Sequence, residues 1–202
     1  MSHTWNKQAS SFLRGKGYVV LLLFLVALAA AVFYSASAVA VEAGSATEAV
    51  KKTLDQVLGI LSDEQLKKPD RSKDRIAALR KIIGERFDYE EMGKRTLGFE
   101  WKKLDRSQQK EFVSLFEKLL LNTYAGNVNS YSGEQVQYTK ERRKGKFAEV
   151  QTKIISKKLE IPVAYRVIKK MSNWWIYDVV IDGISLVKNF RGQFSRIMKA
   201  KG

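Results

Sequence analysis

The side chains that most often carry out chemistry in proteins are scarce in this chain of 202 residues. It contains no cysteine, and its single histidine, His3, lies near the N-terminus. The rest of the chain therefore cannot form a Ser-His-Asp or Cys-His nucleophile system or a typical zinc site. Disulfides and lipid attachment to a cysteine are excluded as well. We expect no metal and no cofactor.

Two carboxylates remain as candidates for acid–base chemistry. Asp178 and Asp182 are four positions apart, an even spacing that would place both on one face of a strand. Tyr165 or Tyr177 could donate a hydrogen bond beside them, and a carboxylate in an apolar pocket can acquire the raised pKa of a general base. Asp182 also precedes Gly183, and this dipeptide is typical of a turn. The pair is open to an enzymatic and to a structural interpretation.

The first forty residues have the pattern of an export signal. Three basic residues, Lys7, Arg14 and Lys16, precede an unbroken apolar run over 18–34, and the small residues of 36–40 offer cleavage sites. An uncleaved N-terminal anchor is the alternative, because a run of seventeen apolar residues is at the lower limit for crossing a bilayer. In either case we expect residues 41–202 to form one domain outside the cytoplasm.

Positive charge is the strongest chemical feature of this domain. The chain has 36 Lys and Arg against 21 Asp and Glu, and only three of the basic residues and none of the acidic ones lie in 1–40. Residues 41–202 therefore carry 33 basic and 21 acidic side chains, a net charge of +12. In an exported protein this charge favours anionic lipid surfaces or an acidic partner over nucleic acid. A cationic surface that binds nothing is the alternative.

Amphipathic helices are predicted in the first half of the domain. Residues 46–61 place apolar side chains at three- and four-residue spacing. A second helix is expected to start at a cap, Asp70 or Ser72, and to run to about residue 86. Asp88 is placed to cap a short third helix that ends near Gly98.

A longer helix and a change of pattern follow. Asp105 and Gln108 have the spacing of a capping box, and the apolar positions from 112 to 124 predict a long helix behind it. From residue 135 apolar and polar residues alternate instead, in stretches at 135–143, 147–156, 162–169 and 174–181. Helical spacing returns from Ser185. The sequence therefore predicts a four-stranded antiparallel meander, preceded by four helices and followed by one.

These elements predict an α+β fold. Helices would cover the inner face of a curved four-stranded antiparallel sheet, and its outer face would be left to water. The space between helices and sheet is a natural place for a ligand pocket.

Two segments resemble the MlaC or toluene-tolerance family, whose members are periplasmic phospholipid-binding proteins. The first segment is RFDYEEM at 86–92 with LGFEW at 97–101, followed by Phe112, Phe116, Leu119 and TYA at 123–125. The second is YDVVIDGISLV at 177–187 with NFRGQF at 189–194. The similarity extends over nearly the whole of 41–202. A hopanoid-associated branch looks similar in these segments, so a hopanoid or another lipid is an alternative cargo.

The resemblance implies a fold, a function and partners. The fold is nuclear-transport-factor-like, with an acyl-chain cavity between helices and sheet. The function is to carry a phospholipid through the periplasm, between the outer membrane and an inner-membrane ABC transport system. The implied partners are the phospholipid, the ABC transporter with its MCE-type lipid-binding subunit, and an outer-membrane lipoprotein complex. A monomer that binds no nucleic acid is expected.

A carrier of this kind needs a deep apolar pocket. A diacyl lipid exposes roughly 30 methylenes, and at about 0.8 kcal/mol each their exposure to water would cost on the order of 20 kcal/mol. The apolar residues of the long helix and of the sheet could line such a pocket or simply form the core. The candidates are Phe112, Phe116, Leu119, Tyr124, Val150, Ile154, Val163, Tyr165, Val167, Tyr177 and Val179.

The basic residues of two turns form a second candidate site. In a meander the first and third turns lie at the same end of the sheet, which could present positive charge to lipid headgroups, an anionic membrane or an acidic partner. A merely solvated end is the alternative. The residues are Arg142, Arg143, Lys144, Lys146, Lys169 and Lys170.

Two rival functions remain open at this point. Nuclear-transport-factor-like folds also include isomerases and dehydratases, for which Asp178 would be the first candidate. A basic adaptor that holds the ABC complex without carrying lipid is the other rival. An empty or filled pocket would favour the adaptor.

Overall fold

The computed structural model describes residues 44–125, 131–156 and 159–201. The predicted signal segment, residues 1–40, lies outside these ranges. None of the described helices is long and apolar enough to cross a membrane.

Helices and strands follow one another along the described chain in the predicted order. The first block holds α1 (Ala46–Ser62), α2 (Ser72–Gly84), α3 (Tyr89–Leu97) and α4 (Arg106–Ala125), with 3₁₀ turns at Pro69–Arg71 and Glu100–Lys103. The strands are β1 (Gln135–Lys144), β2 (Phe147–Ile155), β3 (Glu160–Lys170), β4 (Asn173–Ile181) and β5 (Ile184–Ser185). Helix α5 (Leu186–Lys201) closes the chain.

Two of the predicted helix caps are confirmed. The Asp88 side chain accepts a hydrogen bond from the Glu91 amide at the start of α3. Asp105 and Gln108 form the reciprocal capping box: the Asp105 carboxylate accepts from the Gln108 amide at 2.9 Å, and the Asp105 amide donates to the Gln108 side chain at 3.0 Å.

The prediction for the start of α2 is wrong. Neither Asp70 nor Ser72 caps this helix; its N-cap residue is Arg71, which makes no side-chain cap hydrogen bond. Pro69 opens a 3₁₀ turn that continues directly into α2, so the chain is already turning before a cap is needed. The helix ends at Gly84, two residues earlier than predicted.

The sheet is an open antiparallel meander with the order β1-β2-β3-β4-β5. The four predicted strands are present, and the count of four is corrected by β5. This strand pairs Ser185 with Val180 and Ile184 with Ile181. The connecting residues, Asp182 and Gly183, both have positive φ, 48° and 78°, as a tight hairpin turn requires. Two residues are too few to produce a recognisable alternation in sequence.

The edge of β4 is also paired with the loop between α2 and α3. The Asp88 amide donates to the Ile176 carbonyl at 2.8 Å, and the Ile176 amide donates to the Arg86 carbonyl at 2.9 Å. This parallel bridge at Phe87 anchors the start of α3 to the sheet.

One face of the sheet forms the floor of the main core. Its buried side chains are Ala148, Val150, Thr152, Ile154, Val163, Tyr165, Val167, Trp174, Ile176, Val179 and Ile181. Apolar residues of α1, α3, α4 and α5 join the same cluster. A second, smaller cluster, of Val57, Leu58, Leu61 and Leu79, joins α1 to α2.

The expectation that the other face is left to water is wrong near β4. Ile168 and Asp178 point to this face and are buried. Arg95 of α3 lies over the Tyr177 ring at 4.2 Å, and the start of α5 binds Asp178. The edge contact at Phe87 brings α3 to this side.

Candidate functional site

The sheet floor brings most of the predicted pocket residues together. Val150, Ile154, Val163, Tyr165, Val167 and Val179 alternate along β2, β3 and β4 and are buried side by side in the main core. Phe116 of α4 is buried in the same cluster, and Phe112 and Leu119 pack against it half-buried. The Tyr124 side chain lies outside the described part of the chain.

Tyr177 lies on the opposite face of the sheet from these residues. A bulge in the β3–β4 pairing at Arg166 and Val167 leaves Tyr177 without a partner residue on β3. The centre of its ring lies 6.0 Å from the centre of the Phe147 ring, in an edge-on arrangement, and 4.2 Å from the Arg95 guanidinium carbon. Alternation alone could not place it, because the bulge shifts the register by one residue.

A small cavity lies between α1 and the sheet floor. Its volume is about 10 Å³, close to the space of a single water molecule. Two predicted residues, Tyr165 and Val179, belong to its lining. The complete lining is Thr53, Leu54, Val57, Ile83, Phe87, Tyr165, Ile176 and Val179.

Sequence reasoning missed the helical wall of this cavity. Leu54 and Val57 carry the apolar periodicity that predicted α1, but the pattern does not say which surface a helix covers. Ile83 belongs to the apolar stripe of α2 and was missed as a lining residue for the same reason. Ile176 was missed because the bulge in β4 places it on the same face as Val179, three positions away, where alternation predicts Tyr177.

The polar groups around the cavity are few. The Thr53 hydroxyl donates to the Ala49 carbonyl and accepts from Arg86 Nε at 3.1 Å, and Arg86 Nη1 donates to the Trp174 carbonyl at 3.0 Å. Burial raises the pKa of Tyr165 far above its ordinary value, so its hydroxyl stays protonated.

Tyr138 contributes a further buried hydroxyl beneath α1. Burial, with smaller contributions from Tyr165 and Asp55, raises its pKa as well. In the described part of the chain this hydroxyl has no hydrogen-bond partner. A buried hydroxyl without a partner is an acceptor and a donor available to a ligand.

Polar contacts fasten the N-terminal end of α1 to the sheet. The amide and hydroxyl of Thr47 both donate to Glu141 of β1, at 2.8 and 2.6 Å. The indole of Trp174 donates to the Gly44 carbonyl at 3.0 Å. Toward its C-terminal end α1 packs on α2, where Arg75 Nη2 donates to the Leu61 carbonyl at 2.7 Å.

The Asp178 carboxylate is hydrogen-bonded to groups of three neighbouring elements, β3, β5 and α5. Its carboxylate accepts hydrogen bonds from the Ser185 hydroxyl at 2.6 Å, the Val187 amide at 3.1 Å and Arg166 Nη1 at 3.1 Å. It is 3% exposed and lies on the face opposite the cavity. Both of its oxygens hold the junction between β4, β5 and α5, which is the environment of a structural carboxylate.

The expected pairing of Asp178 with Asp182 is wrong. β4 ends at Ile181, and Asp182 is an exposed residue of the hairpin turn. The two carboxylates therefore share no pocket. Among residues 44–125, 131–156 and 159–201 no cluster of His, Cys, Asp and Glu could hold a metal ion.

The two basic turns lie at one end of the sheet. The Lys169 amide donates to the Lys146 carbonyl at 2.7 Å, which joins the β3–β4 turn to the β1–β2 turn. The Arg143 guanidinium and the Lys169 ammonium lie 5.2 and 5.7 Å from the Trp174 ring. Lys170 forms an ion pair with Asp88 at 2.5 Å, and Arg142, Lys144 and Lys146 are exposed.

Comparison with known proteins identifies the family. The family described as MlaC protein matches residues 51–202. The chain belongs to the MlaC family. A curated MlaC relative, the intermembrane phospholipid transport system binding protein MlaC of Haemophilus influenzae, is 25% identical over 116 residues. The match covers 54% of each chain, so this chain spans about half the length of that relative.

A solved structure supports the MlaC fold over most of the chain. It is the phospholipid-binding protein of Ralstonia solanacearum in complex with a phospholipid. The two share 25% sequence identity, with a TM-score of 0.68, over 78% of this chain and 89% of the other. The predicted architecture, helices packed on an antiparallel sheet, is thereby confirmed for this MlaC-family protein.

Proposed function

We propose that this protein binds a phospholipid between α1 and the sheet floor and carries it through the periplasm. The observation that carries the proposal is the likeness, over 78% of the chain, to a protein that was solved with a phospholipid bound. Membership of the MlaC family over residues 51–202 agrees with it.

The acyl chains require the cavity to enlarge. Hiding roughly 30 methylenes from water is worth on the order of 20 kcal/mol, and a ligand of that size needs several hundred Å³. The space between α1 and the sheet is about 10 Å³. We infer that lipid enters when α1 separates from the sheet floor.

The composition of the α1–sheet interface fits such an opening. Its walls are apolar side chains, which acyl chains can cover again at little net cost in free energy. The contacts of Thr47 with Glu141 and of Gly44 with Trp174 hold one end of α1, while α2 holds the other. We infer that α1 and α2 move together about the N-terminal end of α1.

Polar groups at the same interface suit the glycerol esters of a lipid. The Tyr138 hydroxyl is buried without a partner in the described part of the chain, and an ester carbonyl would supply the acceptor that it lacks. Thr53 and Arg86 lie at the rim of the cavity and are the nearest candidates to contact a phosphate.

Membership of the MlaC family supports a proposal about the wider transport role. The Haemophilus influenzae relative is described as the binding protein of an intermembrane phospholipid transport system. We propose that this chain likewise exchanges lipid between an outer-membrane lipoprotein complex and an inner-membrane ABC transporter with its MCE-type subunit. The isomerase alternative has no such support, because Asp178 is committed to the fold.

The test is to identify the lipid that the exported protein carries. The protein is purified from a periplasm, weighed intact by native mass spectrometry, and extracted with organic solvent for lipid analysis. A stoichiometric phospholipid is the expected result, whereas a hopanoid would change the cargo. A protein that remains lipid-free after mixing with phospholipid vesicles would refute the carrier function and favour the adaptor.

A matched pair of variants links the bound lipid to this cavity. Val57→Thr places a hydroxyl in the cavity wall without changing the side-chain volume, and we expect lipid retention to fall about tenfold. Val187→Thr makes the same change at a buried position of α5, outside the lining, and should leave retention within about twofold. Equal losses in both variants would argue against this location.

A further inference from the structure

The basic end of the sheet, defined as residues 142–147 and 168–173, is uniform in charge. It contains six cations and no acidic residue. Three acidic residues near it already have partners: Glu141 accepts from Thr47, Glu149 pairs with Arg166, and Asp88 pairs with Lys170. Most of the cations, namely Arg142, Arg143, Lys144, Lys146 and Lys170, are exposed.

A single apolar residue stands at the apex of this basic end. Met171, in the β3–β4 turn, is fully exposed, at 101%, more than any other large apolar side chain in the described part of the chain. Its φ is 53°, in the left-handed region that glycine and asparagine adopt far more easily than methionine. Neither core packing nor turn geometry accounts for a methionine here.

We propose that the basic end is a docking surface for an anionic lipid bilayer, with Met171 inserted among the headgroups and Arg142, Lys144 and Lys146 at the same end bound to lipid phosphates. The proposal rests on the proposed lipid-carrier function, because a lipid carrier has to meet a membrane. The docking surface itself is separate from the cavity. Trp174 is close to both: Arg143 and Lys169 cover its ring, and its carbonyl accepts from Arg86 at the cavity rim.

The chemistry of the surface favours a bilayer over an acidic protein. Lysine is depleted from protein–protein interfaces, which also need about 800 Å² on each partner. The two turns present one fully exposed apolar side chain, Met171, rather than an apolar patch. A bilayer needs no such patch, because separate cations and one inserted apolar group each add to its binding.

Binding to vesicles of stated composition tests the proposal. The exported protein is mixed with sucrose-loaded vesicles of one part phosphatidylglycerol to two parts phosphatidylcholine, and the bound fraction is measured by sedimentation. We expect binding to these vesicles, much weaker binding to pure phosphatidylcholine, and weakening by salt. Equal binding to neutral vesicles, or no binding, would overturn the proposal.

Two variants of the basic end should bind anionic vesicles more weakly by amounts that can be estimated. Each cation near an anionic surface contributes about fivefold in affinity, so the double variant Lys144→Gln with Lys146→Gln should bind about 25-fold more weakly. Met171→Asn removes the apolar group and suits the left-handed backbone, so it should fold at least as well and bind roughly fivefold more weakly. Unchanged binding by Met171→Asn would overturn the proposal.

Matched changes on α4 separate local contact from overall charge. Lys110→Gln with Lys118→Gln removes the same charge from exposed positions, and Leu115→Gln removes an apolar side chain that is 55% exposed. Both should bind vesicles within about twofold of the unaltered protein. A loss equal to that of the basic-end variants would show a net-charge effect and overturn the proposal.

Lipid loading is measured in the same variants by native mass spectrometry. If Met171→Asn and the lysine variant lose vesicle binding but keep the lipid acquired during expression, docking and carrying are separate and both proposals stand. If the unaltered protein binds vesicles but never holds lipid, the docking proposal stands and the carrier function fails.

Discussion

At the scale of single residues, the charged side chains of the sheet differ in what they hold. Arg166 lies between two carboxylates and contacts both Glu149 and Asp178 at 3.1 Å. A hydrogen bond from the Gln151 side-chain amide lowers the pKa of Glu149. Burial of the carboxylate acts in the opposite direction, and Arg166 lowers the pKa further. Asp178 also receives the Ser185 hydroxyl and the Val187 amide, so it joins three elements, whereas Glu149 joins neighbouring strands.

This difference predicts unequal costs for the same chemical change. Asp178→Asn breaks a buried ion pair and disturbs the β4–α5 junction, and we expect it to lower the free energy of unfolding by about 3–5 kcal/mol. Glu149→Gln changes a carboxylate that is about a quarter exposed and should cost about 1 kcal/mol or less. Urea unfolding measures both. Equal losses would mean that Asp178 has no special role in the junction.

A substitution at Tyr138 can distinguish an effect on stability from an effect on lipid binding. Its hydroxyl is buried and unpaired in the described residues, so Tyr138→Phe should leave the lipid-free protein equally stable or more stable by up to about 1 kcal/mol. If the hydroxyl donates to a lipid ester, the same variant should retain lipid about five- to tenfold less well. Thermal unfolding and native mass spectrometry provide the two readings. A loss of stability without loss of lipid would assign the hydroxyl to the fold.

At the scale of secondary structure, the sequence correctly predicts the features that short-range interactions determine. The capping box of Asp105 and Gln108, the cap at Asp88 and the alternation of β2 and β3 all depend on residues within a few positions of each other. The start of α2, strand β5 and the bulge beside Tyr177 were missed. Each of these depends on a partner or a turn that the periodic pattern does not contain.

The site was less predictable than the fold for the same reason. Alternation identified Tyr165 and Val179 as inward residues, but no pattern states that α1 rather than α4 covers them at the cavity. Leu54 and Val57 therefore went unnoticed as lining residues. The loop pairing at Phe87 is a long-range contact, and it decides which helices reach the far face of the sheet.

The packing of α3 against α5 depends on a glycine. Gly98 ends α3 with φ 61°, and a Cβ there would lie 2.9 Å from Arg191 Nη2. Gly98→Ala should lower the free energy of unfolding by about 2–3 kcal/mol, chiefly because φ 61° with ψ −118° is a conformation that residues with a Cβ rarely adopt, and the Arg191 guanidinium must also shift. Gly145→Ala also has positive φ, 57°, but open space around it, and should cost about 1 kcal/mol. Equal costs in denaturant unfolding would show that the Arg191 contact contributes nothing.

At the scale of the whole molecule, a carrier has to exist in a closed and an open state. The cavity between α1 and the sheet has a volume of about 10 Å³, so acyl chains at this place would have to replace the contacts of α1 with the sheet floor. The α1–α2 contact should persist in both states, because Leu61, Leu79 and Arg75 bind the two helices to each other. If the proposed carrier function holds, we expect lipid binding to move the helix pair as a rigid unit rather than to unfold it.

The absence of cysteine from the chain allows this movement to be tested with single thiols. Leu54→Cys places a thiol in the cavity wall, and Leu61→Cys places one two turns further along α1, in the contact with α2. In the lipid-free protein we expect Cys at 54 to react with a thiol reagent at least about tenfold faster than Cys at 61, because only the first becomes exposed when α1 leaves the sheet. Bound phospholipid should slow the reaction at 54 and leave that at 61 unchanged. If both thiols react at the rate of global unfolding, with or without lipid, then α1 does not separate from the sheet and the lipid must bind elsewhere.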